Sequence, residues 1–313
     1  MEVKILKEAR QRAKTEIYQC IKKWFSEDEI KKDITTQFLG IGEKRGKLIL
    51  FSKNEEDFIA AGVDFVKILF EEAQKILFKN SREKIKFHKF KSDGDKVKNG
   101  EKIAEIEGRM KVLFATERLS INLLSRLCGI ATETSKLVSE AKKYGIEVCA
   151  TRKTTPGLRF LEKYAVAVGG GNPYRFSLSS AIMIKDNHII SAGGIEKIRE
   201  IITRNRKKSG KLRDIIIEVQ KMSDLEEVLK IAKELKNISV MLDNFPKDSI
   251  GEAIKKIREF SHNEKVKILI EISGGIRPEK LPEIAELKPN RISAGYITSN
   301  PKIPDISADI IAL

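Results

Sequence analysis

Charged, amide and glycine residues recur at one kind of position in the C-terminal two thirds of the chain, directly after short apolar runs. The seven run ends carry Thr151-Arg152-Lys153, Gly169-Gly170-Gly171, Lys185-Asp186-Asn187, Glu218 with Gln220, Asp243-Asn244, Ser273-Gly274-Gly275 and Gly295. If the runs are parallel β-strands, their C-terminal ends meet at one rim, where α/β barrels carry their active sites. No single run end is specific, but the repetition predicts an active site built from several strand ends.

Basic side chains dominate this predicted rim, which would carry Arg152, Lys153, Arg175 and Lys185. A guanidinium matches carboxylates and phosphates with paired hydrogen bonds, and a lysine adds a compact positive charge. Asp243 is the clearest acid, and a bound Mg²⁺ or sugar hydroxyls would account for it. These residue types predict a phosphorylated, polyanionic substrate.

A glycine pair at the end of the sixth run is typical of a phosphate site. Ser273, Gly274 and Gly275 precede Arg277-Pro278, as in a strand–loop–helix cradle. Glycines let backbone N–H groups approach an anion, and a following helix start adds partial positive charge. Gly295 after the last run would complete the site, as in many barrel phosphate sites.

The apolar runs alternate with amphipathic stretches, as β-strands alternate with helices. The runs cover 146–152, 164–170, 181–187, 215–220, 239–244, 267–275 and 291–297. This alternation predicts parallel strands joined by right-handed crossovers. Seven such strands favour an α/β barrel, complete or nearly so, and an open doubly wound sheet is the alternative.

The first third of the chain has a different pattern. We expect an amphipathic helix over 1–34, a turn at 33–40, a strand at 47–53, a helix at 65–77 and a hairpin over 84–109. The hairpin prediction rests on alternating apolar and polar residues with Asp-Gly and Asn-Gly turns. These elements predict an α+β domain over 1–116, followed by an α/β barrel domain over 117–313 that carries the active site.

The composition limits the class of protein and its partners. The 313 residues include 60 Lys and Arg against 45 Asp and Glu, a net charge of +15, with 41% hydrophobic residues. That balance excludes a wholly disordered chain and favours an anionic partner. The charges are dispersed and only 6% of residues are aromatic, so a small metabolite is favoured over nucleic acid.

Cysteine usage and hydropathy indicate the compartment. Cys20, Cys128 and Cys149 are far apart and form no CxxC pair, which favours a reducing environment. No apolar run approaches the ~18–20 residues needed to span a bilayer, and the N-terminus lacks the hydrophobic region of a signal peptide. We therefore expect a cytoplasmic protein with no membrane partner.

Several segments, in order, resemble the quinolinate phosphoribosyltransferase family. They are DITT (33–36), ERLSINLLSRLCGIAT (117–132), TRKTTPGLRFLEKYAVAVGGG (151–171), IKDNH (184–188), MLDNF (241–245) and EISGGI (271–276). The resemblance runs from about residue 33 to the C-terminus. It implies an N-terminal α+β sandwich domain, a C-terminal irregular α/β barrel, and a homodimer or a hexamer of dimers.

The resemblance also implies a reaction, a step of NAD biosynthesis. In this family the ring nitrogen of quinolinate attacks C1 of phosphoribosyl pyrophosphate, with Mg²⁺ accompanying the pyrophosphate. Pyrophosphate leaves, carbon dioxide is lost, and nicotinate mononucleotide results. A transition state with oxocarbenium character and a departing polyanion makes catalysis mainly a matter of positioning and charge stabilisation.

Matching positions carry the family's acid-binding residues onto this chain. Arg118 would reach the acid substrate bound by the neighbouring subunit of a dimer. Arg152, Arg175 and Lys185 would hold the substrate carboxylates. Arg118 could equally be an ordinary surface residue at a helix start, so its role rests on the resemblance alone.

The remaining matches concern phosphate, ribose and metal. Lys153 would hold the pyrophosphate, and Asp243 the ribose hydroxyls or the metal. The 5′-phosphate would be bound by Ser273, Gly274, Gly275 and Gly295. The resemblance makes Arg152, Lys153, Lys185 and Asp243 the catalytic residues.

Two pocket positions depart from the family pattern. The family's His-Arg is Tyr174-Arg175 here, and its Glu-Val-Glu is Glu218-Val219-Gln220. Tyrosine carries no positive charge near pH 7, and glutamine is a neutral, weaker metal ligand. Two alternatives to the quinolinate reaction therefore remain. One is a paralogue that uses another aromatic acid or base, and the other is a non-catalytic binder of phosphorylated metabolites.

Three further residues near the rim have plainer interpretations. His188 is expected to cap or pack rather than catalyse, and Cys149 to be a small core residue. Whether Glu218 faces the site is open, because a spacing of two residues does not settle which side of a strand points inward.

Overall fold

A computed structural model of the chain describes residues 2–209 and 214–313. Its helices are α1 (Glu2–Glu27), α2 (Ile34–Leu39), α3 (Val63–Leu77), α4 (Met110–Lys142), α5 (Arg159–Val168), α6 (Asp186–Ala192), α7 (Ile195–Ser209), α8 (Met222–Leu235), α9 (Lys247–Asn263), α10 (Leu281–Glu286) and α11 (Tyr296–Ser299), with short 3₁₀ helices at Ile30–Lys32 and Pro278–Lys280. The strands are β1 (Arg45–Ser52), β2 (Phe58–Ile59), β3 (Lys86–Lys89), β4 (Lys96–Val97), β5 (Lys102–Arg109), β6 (Glu147–Ala150), β7 (Ile182–Ile184), β8 (Ile215–Val219), β9 (Asn237–Asp243), β10 (Lys267–Ser273), β11 (Arg291–Ala294) and β12 (Ile306–Ala312).

The described residues fall into two compact units that interleave along the chain. The first unit lies within residues 1–136, 153–173 and 297–313, and the second within 137–152 and 174–296. Helix α4 runs through residue 117, where the change of sequence pattern suggests a boundary. The division into domains over 1–116 and 117–313 remains a prediction.

An antiparallel sheet is the frame of the first unit, with strand order β12-β1-β5-β3. Leu48 of β1 lies opposite Ile310 of β12 and Ile106 of β5. Every second residue of β1 is buried, as expected for a sheet with one face on a core. The predicted strand at 47–53 and the predicted hairpin are confirmed, since β3 pairs with β5 in antiparallel register.

Helix α1 follows from its apolar spacing. Ala9, Ala13, Ile17 and Ile21 recur every four residues on one face and are fully buried, and α1 packs against α5. Burying each of the two isoleucines stabilises the unit by ~1.5–3 kcal/mol. The predicted first helix is confirmed but ends at Glu27, before residue 34.

The prediction of a turn over 33–40 is wrong, because that segment contains helix α2. The Asp33 side chain accepts a hydrogen bond from the Thr36 backbone N–H at 3.0 Å, which caps the helix start. Gly40 ends the helix at a φ of +62°, a conformation that glycine adopts without strain. Asp33 and Gly40 are also common turn residues, which explains the error.

The second unit contains the predicted parallel sheet, in the order β6-β11-β10-β9-β8-β7. All five residues of β8 are buried, as in a strand covered on both faces. Six of the seven apolar runs are therefore confirmed as strands. Among the described residues the sheet has six strands rather than the predicted seven.

The remaining run, residues 164–170, is wrongly predicted as a strand, because most of it belongs to helix α5. Residues 161–166 are all buried, so the segment has no exposed face that would reveal a helical period. A side chain on Gly169 at the end of α5 would come within 2.4 Å of the Ala131 carbonyl oxygen. Gly169 therefore allows a close approach of two backbone segments.

Candidate active site

The rim of the second unit is the edge where its parallel strands end, and it carries most of the predicted residues. Thr151 follows β6, Lys185 follows β7, Gln220 follows β8, Asp243 ends β9, Ser273 ends β10 and Gly295 follows β11. Since the strands are parallel, these residues lie at the same edge of the sheet.

Lys185 and Glu218 form an ion pair on adjacent strands of the rim. The Lys185 Nζ lies 2.7 Å from Glu218 Oε2, and the Glu218 side chain is only 3% exposed. Gln220 Nε2 lies 3.5 Å from Glu218 Oε1, so both side chains project from the same side of β8. This resolves the open question about Glu218, whose carboxylate faces Lys185 and Gln220.

Two guanidinium groups of the rim lie close enough to affect each other. Arg175 is 8% exposed, and its Nη1 lies 3.5 Å from the Ala181 carbonyl oxygen. Burial, and next the positive charge of Arg152, lower the pKa of the Arg175 guanidinium. Arginine remains protonated regardless. The two positive charges therefore lie near each other, which suits the binding of an anion.

Tyr174 packs inward, beneath the rim. Its ring contacts a core cluster formed by Ala181, Ile216 and Met241, and the Arg291 guanidinium lies 5.6 Å from the ring centroid. Burial raises the pKa of the Tyr174 phenol, which stays neutral at physiological pH. The ring thus fills space in the core of the second unit, whatever its hydroxyl contributes.

Asp243 and the glycine pair meet at the ends of β9 and β10. Asn244 Nδ2 donates to Asp243 Oδ2 at 3.0 Å, and the Asn244 backbone N–H donates to the Ser273 carbonyl oxygen at 3.0 Å. A side chain on Gly274 would come within 2.3 Å of Asn244 Oδ1, and Gly274 has a φ of +96°. This position therefore requires glycine, which lets two strand ends approach closely.

Lys280 is a basic residue near the predicted phosphate cradle that sequence reasoning missed. Its Nζ lies 3.5 Å from where a Gly275 Cβ would stand, and Gly275 also has a positive φ, +60°. Lys280 belongs to a 3₁₀ helix that precedes α10. Its position five residues after Gly275 in an irregular segment offered no periodic signal.

Two predicted residues, Arg118 and Lys153, belong to the first unit. Arg118 lies in α4 with its side chain 68% exposed. It borders a cavity of about 470 Å³ together with Ile34, Leu39 and Phe114. Lys153 begins a loop, and its side chain is exposed. Hydrogen bonds hold the backbone of this loop. In one of them the Thr298 hydroxyl donates to the Lys153 carbonyl oxygen at 2.8 Å.

The plainer interpretations of the two remaining residues are confirmed. His188 Nδ1 accepts the Lys185 backbone N–H at 3.0 Å and so caps helix α6. Cys149 is 1% exposed. Neither contact suggests chemistry.

Among the residues whose side chains the structure describes, no three His, Cys, Asp or Glu side chains lie close enough together to hold a metal ion. Mg²⁺ commonly binds through one or two carboxylates and takes its remaining ligands from water and substrate phosphates. Asp243 at the end of β9 fits that pattern. In the same part of the chain, no helix is long and apolar enough to cross a membrane.

The rim thus brings three kinds of group to one edge of the sheet. They are the Arg152 and Arg175 guanidiniums, the Glu218 and Asp243 carboxylates, and the glycine pair Gly274 and Gly275. These groups suit an anionic substrate that carries both an acid and a phosphate.

Comparison with known proteins matches most of the chain to one protein family. The quinolinate phosphoribosyl transferase N-terminal domain family matches residues 33–128, and its C-terminal domain family matches residues 130–309. Probable nicotinate-nucleotide pyrophosphorylases [carboxylating] are 37% identical in Archaeoglobus fulgidus, covering 87% of this chain and 96% of the relative, and 37% identical in Bacillus subtilis, covering 92% and 91%.

Solved structures agree. The nicotinate-nucleotide pyrophosphorylase from Francisella tularensis superimposes with a TM-score of 0.79 at 31% identity, covering 95% of this chain and 96% of that one. With both domain families matched and relatives above 30% identity over most of the length, the chain belongs to the quinolinate phosphoribosyltransferase family.

Proposed function

We propose that this chain transfers phosphoribose from phosphoribosyl pyrophosphate to quinolinate, as the names of its relatives indicate for them. The C1–nitrogen bond forms as the C1–oxygen bond to pyrophosphate breaks, and a carboxylate leaves as carbon dioxide with a proton taking its place. The products are nicotinate mononucleotide, pyrophosphate and carbon dioxide, in NAD biosynthesis. We place the enzyme in the cytoplasm.

The observation that carries the proposal is the closeness of Arg175 to Arg152 at the rim. Burial and the nearby positive charge of Arg152 lower the pKa of the Arg175 guanidinium, and two positive charges so close together suit a substrate that carries carboxylates. Quinolinate has two adjacent carboxylates. Lys185, whose ammonium already contacts Glu218, would complete the binding of the acid.

Phosphoribosyl pyrophosphate would bind through the remaining groups. Gly274 and Gly275, with Ser273 and Gly295, present backbone N–H groups that suit the 5′-phosphate. Lys153 would bind the pyrophosphate, and Asp243 the ribose hydroxyls. Charge stabilisation of the leaving pyrophosphate is the main catalytic contribution expected of such groups.

Mg²⁺ is the proposed cofactor, and its chemistry is to neutralise the pyrophosphate as it departs. Asp243 would hold it, with the substrate phosphates as further ligands. Gln220 gives this chain one carboxylate fewer than the family pattern, so we propose that substrate supplies more of the coordination here.

A homodimer, or a hexamer of dimers, is the proposed assembly, with Arg118 contributed to the neighbouring site. An apolar exposed surface near Arg118 supports it. Ile34 is 78% exposed, Phe38 91% and Leu39 57%. Side chains of this size on one short helix are typical of surfaces that another subunit covers.

We further propose that the parallel sheet of the second unit is an α/β barrel opened between β6 and β7. The observed strand order matches the chain order taken around a circle with that one link missing. The N-terminal α+β sandwich is proposed for the first unit on the resemblance.

A second candidate is transfer of phosphoribose to a different aromatic acid or base. The packing of Tyr174 into the core favours considering it, because the family's histidine would stand at this position in the acid-binding region. The third candidate, a non-catalytic binder of phosphorylated metabolites, predicts binding without turnover.

The deciding experiment is incubation with phosphoribosyl pyrophosphate, Mg²⁺ and quinolinate, with nicotinate mononucleotide detected by mass. Reactions lacking quinolinate or Mg²⁺ are the controls. Product at an ordinary enzymatic rate supports the proposal and shows that Tyr174 and Gln220 are tolerated variations. Absence of product from folded protein, with turnover of another acid in a panel, would establish the second candidate instead.

A further inference from the structure

Two of the family segments contain ionisable residues that the site does not use, Arg126 and Glu162. Glu162 is completely buried, and the Arg126 side chain is 26% exposed. The Arg126 Nη2 and Nε donate to Glu162 Oε1 at 2.8 and 3.1 Å. Burying an ion pair removes the hydration of both charges, so such a pair is weak evidence of a purely stabilising role. The other hydrogen bonds of Arg126 and Glu162 therefore indicate what the ion pair does.

The pair holds the loop that begins with Lys153. The other carboxylate oxygen of Glu162, Oε2, accepts the Thr155 backbone N–H at 3.2 Å. Arg126 Nη2 lies 3.2 Å from the Thr155 hydroxyl oxygen. Glu162 thus accepts from Arg126 with one carboxylate oxygen and from the loop backbone with the other. Loss of either oxygen as an acceptor would break one of these two contacts.

A second chain of contacts joins Arg126 to Lys153 itself. Arg126 Nη2 donates to the Thr298 carbonyl oxygen at 2.7 Å. The Thr298 hydroxyl, on a completely buried residue, donates to the Lys153 carbonyl oxygen at 2.8 Å. The backbone of the loop is thereby held at Lys153 and at Thr155, while the Lys153 side chain remains exposed.

We propose that Arg126, Glu162 and Thr298 form an anchor that fixes the backbone beneath Lys153, so that its ammonium is held in position for the pyrophosphate group. All three are positioning residues that act through Lys153. The inference rests on the proposed function for the role of Lys153, and it adds how that role is built. It also gives a role to the contact between a completely buried acid and a partly buried arginine that lie 36 residues apart.

A purely structural role for the anchor makes a different prediction. If the anchor only stabilised the first unit, disturbing it would change the melting temperature and leave pyrophosphate binding intact. If it acts through Lys153, disturbing it weakens pyrophosphate binding only while Lys153 is present. A double-mutant cycle separates the two.

The experiment measures binding of Mg²⁺-pyrophosphate by calorimetry to the full chain and to Thr298→Val, Lys153→Ala and the double variant. Thr298→Val removes only the hydroxyl and keeps the shape. We expect about tenfold weaker binding, equal to ~1.4 kcal/mol, and no further loss when Thr298→Val is added to Lys153→Ala.

Thr134→Val is the matched control. Thr134 is also completely buried in the first unit, and its hydroxyl donates to the Ile130 carbonyl oxygen at 2.7 Å within α4. We expect pyrophosphate to bind this variant as it binds the unsubstituted chain. Should Thr298→Val fail to fold, Glu162→Gln takes its place in the cycle, because an amide cannot accept from both Arg126 and Thr155.

Two outcomes would overturn the inference. One is unchanged pyrophosphate affinity in the folded Thr298→Val or Glu162→Gln variant, and the other is an equal loss with and without Lys153. Failure of the proposed function looks different, since pyrophosphate would bind and the cycle would show coupling while quinolinate gave no product. A chain that binds no pyrophosphate at all would count against both.

Discussion

The anchor of the first unit and the rim of the second treat buried charge in opposite ways. In the anchor, Arg126 is neutralised by Glu162, and both carboxylate oxygens have donors. At the rim, burial and next the positive charge of Arg152 lower the pKa of the Arg175 guanidinium. The anchor thus pairs opposite charges within the protein, whereas the rim places two like charges near each other, an arrangement that suits a bound anion. The contrast distinguishes positioning residues, such as those of the anchor, from residues proposed to bind the substrate, such as those of the rim.

Removing Arg152 should have the largest effect on activity and little effect on folding. We expect Arg152→Ala to lower kcat/KM by ~10³-fold, in the range seen when a charge-stabilising group is lost. Because the substitution relieves repulsion with Arg175, the melting temperature should hold or rise. Steady-state kinetics and thermal unfolding measure both.

Arg204→Ala is the control for that variant, since Arg204 is an exposed arginine of the second unit. It should retain full activity. Near-normal activity of Arg152→Ala would remove Arg152 from the site, and a large fall in its melting temperature would mean that the rim resembles the anchor after all.

The close approach at Gly274 can be tested next. Gly274→Ala should reduce the free energy of unfolding by about 1–3 kcal/mol through backbone strain, with a further loss from the clash with Asn244. It should also weaken binding of phosphoribosyl pyrophosphate severely. Chemical denaturation and equilibrium binding are the measurements.

Gly194→Ala is matched to it, because Gly194 has a φ of +113° but nothing within 4 Å of its added carbon. Gly194→Ala should lower the free energy of unfolding through the same backbone strain and should leave the affinity for phosphoribosyl pyrophosphate unchanged. Equal effects in both variants would reduce the role of Gly274 to a flexible backbone position.

A smaller effect is expected from restoring an acid at the rim. Gln220→Glu brings a second carboxylate to Glu218, since Gln220 Nε2 is 3.5 Å from Glu218 Oε1. Their repulsion should be relieved by a cation, so the affinity for Mg²⁺-phosphoribosyl pyrophosphate should rise a few-fold, or ~1 kcal/mol. Gln11→Glu, at an exposed position of α1, is the same change without that neighbour. Unchanged affinity in Gln220→Glu would mean that position 220 does not act on the metal.

The smallest effect concerns Glu16, which supports the helix that carries Glu162. Glu16 Oε2 accepts the Leu161 backbone N–H at 2.9 Å, and burial raises the pKa of its carboxyl despite that hydrogen bond. A raised pKa in the folded state means that the contribution to stability is present below about pH 4.5 and is lost as pH rises through the folded-state pKa.

Glu16→Gln should therefore raise the melting temperature at pH 7 slightly, by on the order of 1–3 °C, with the advantage shrinking toward pH 4. Glu27→Gln makes the same change at an exposed position of the same helix, and its melting temperature at pH 7 should stay close to that of the unsubstituted chain. A fall in stability at pH 7 would show that the charge of Glu16 is itself required.

How far the sequence predicts this molecule depends on whether a signal is local. Lys185, Asp243 and Gly274 were predictable because polar residues end apolar runs, and a parallel sheet gathers strand ends. Helix α5 was not, because a helix buried on all sides resembles a buried strand. The direction of the Glu218 side chain could not be predicted, because it is defined by the contact with Lys185 at the end of the neighbouring strand.

The anchor was invisible for a further reason. Arg126 and Glu162 are 36 residues apart, and nothing in either segment marks the two residues as partners. Their pairing depends on how α4 and α5 pack. Buried ion pairs between elements leave no periodic trace in either segment, so only coordinates reveal them.

The pairing of β12 with β1 affects how the chain can fold while the ribosome is still synthesising it. Residue 48 lies opposite residue 310, so 310 − 48 = 262 further residues must be synthesised before this second neighbour of β1 emerges. At ~5–20 residues per second the interval is on the order of 10–50 s. Throughout that time the edge of β1 that later pairs with β12 is open to chance pairing with other strands.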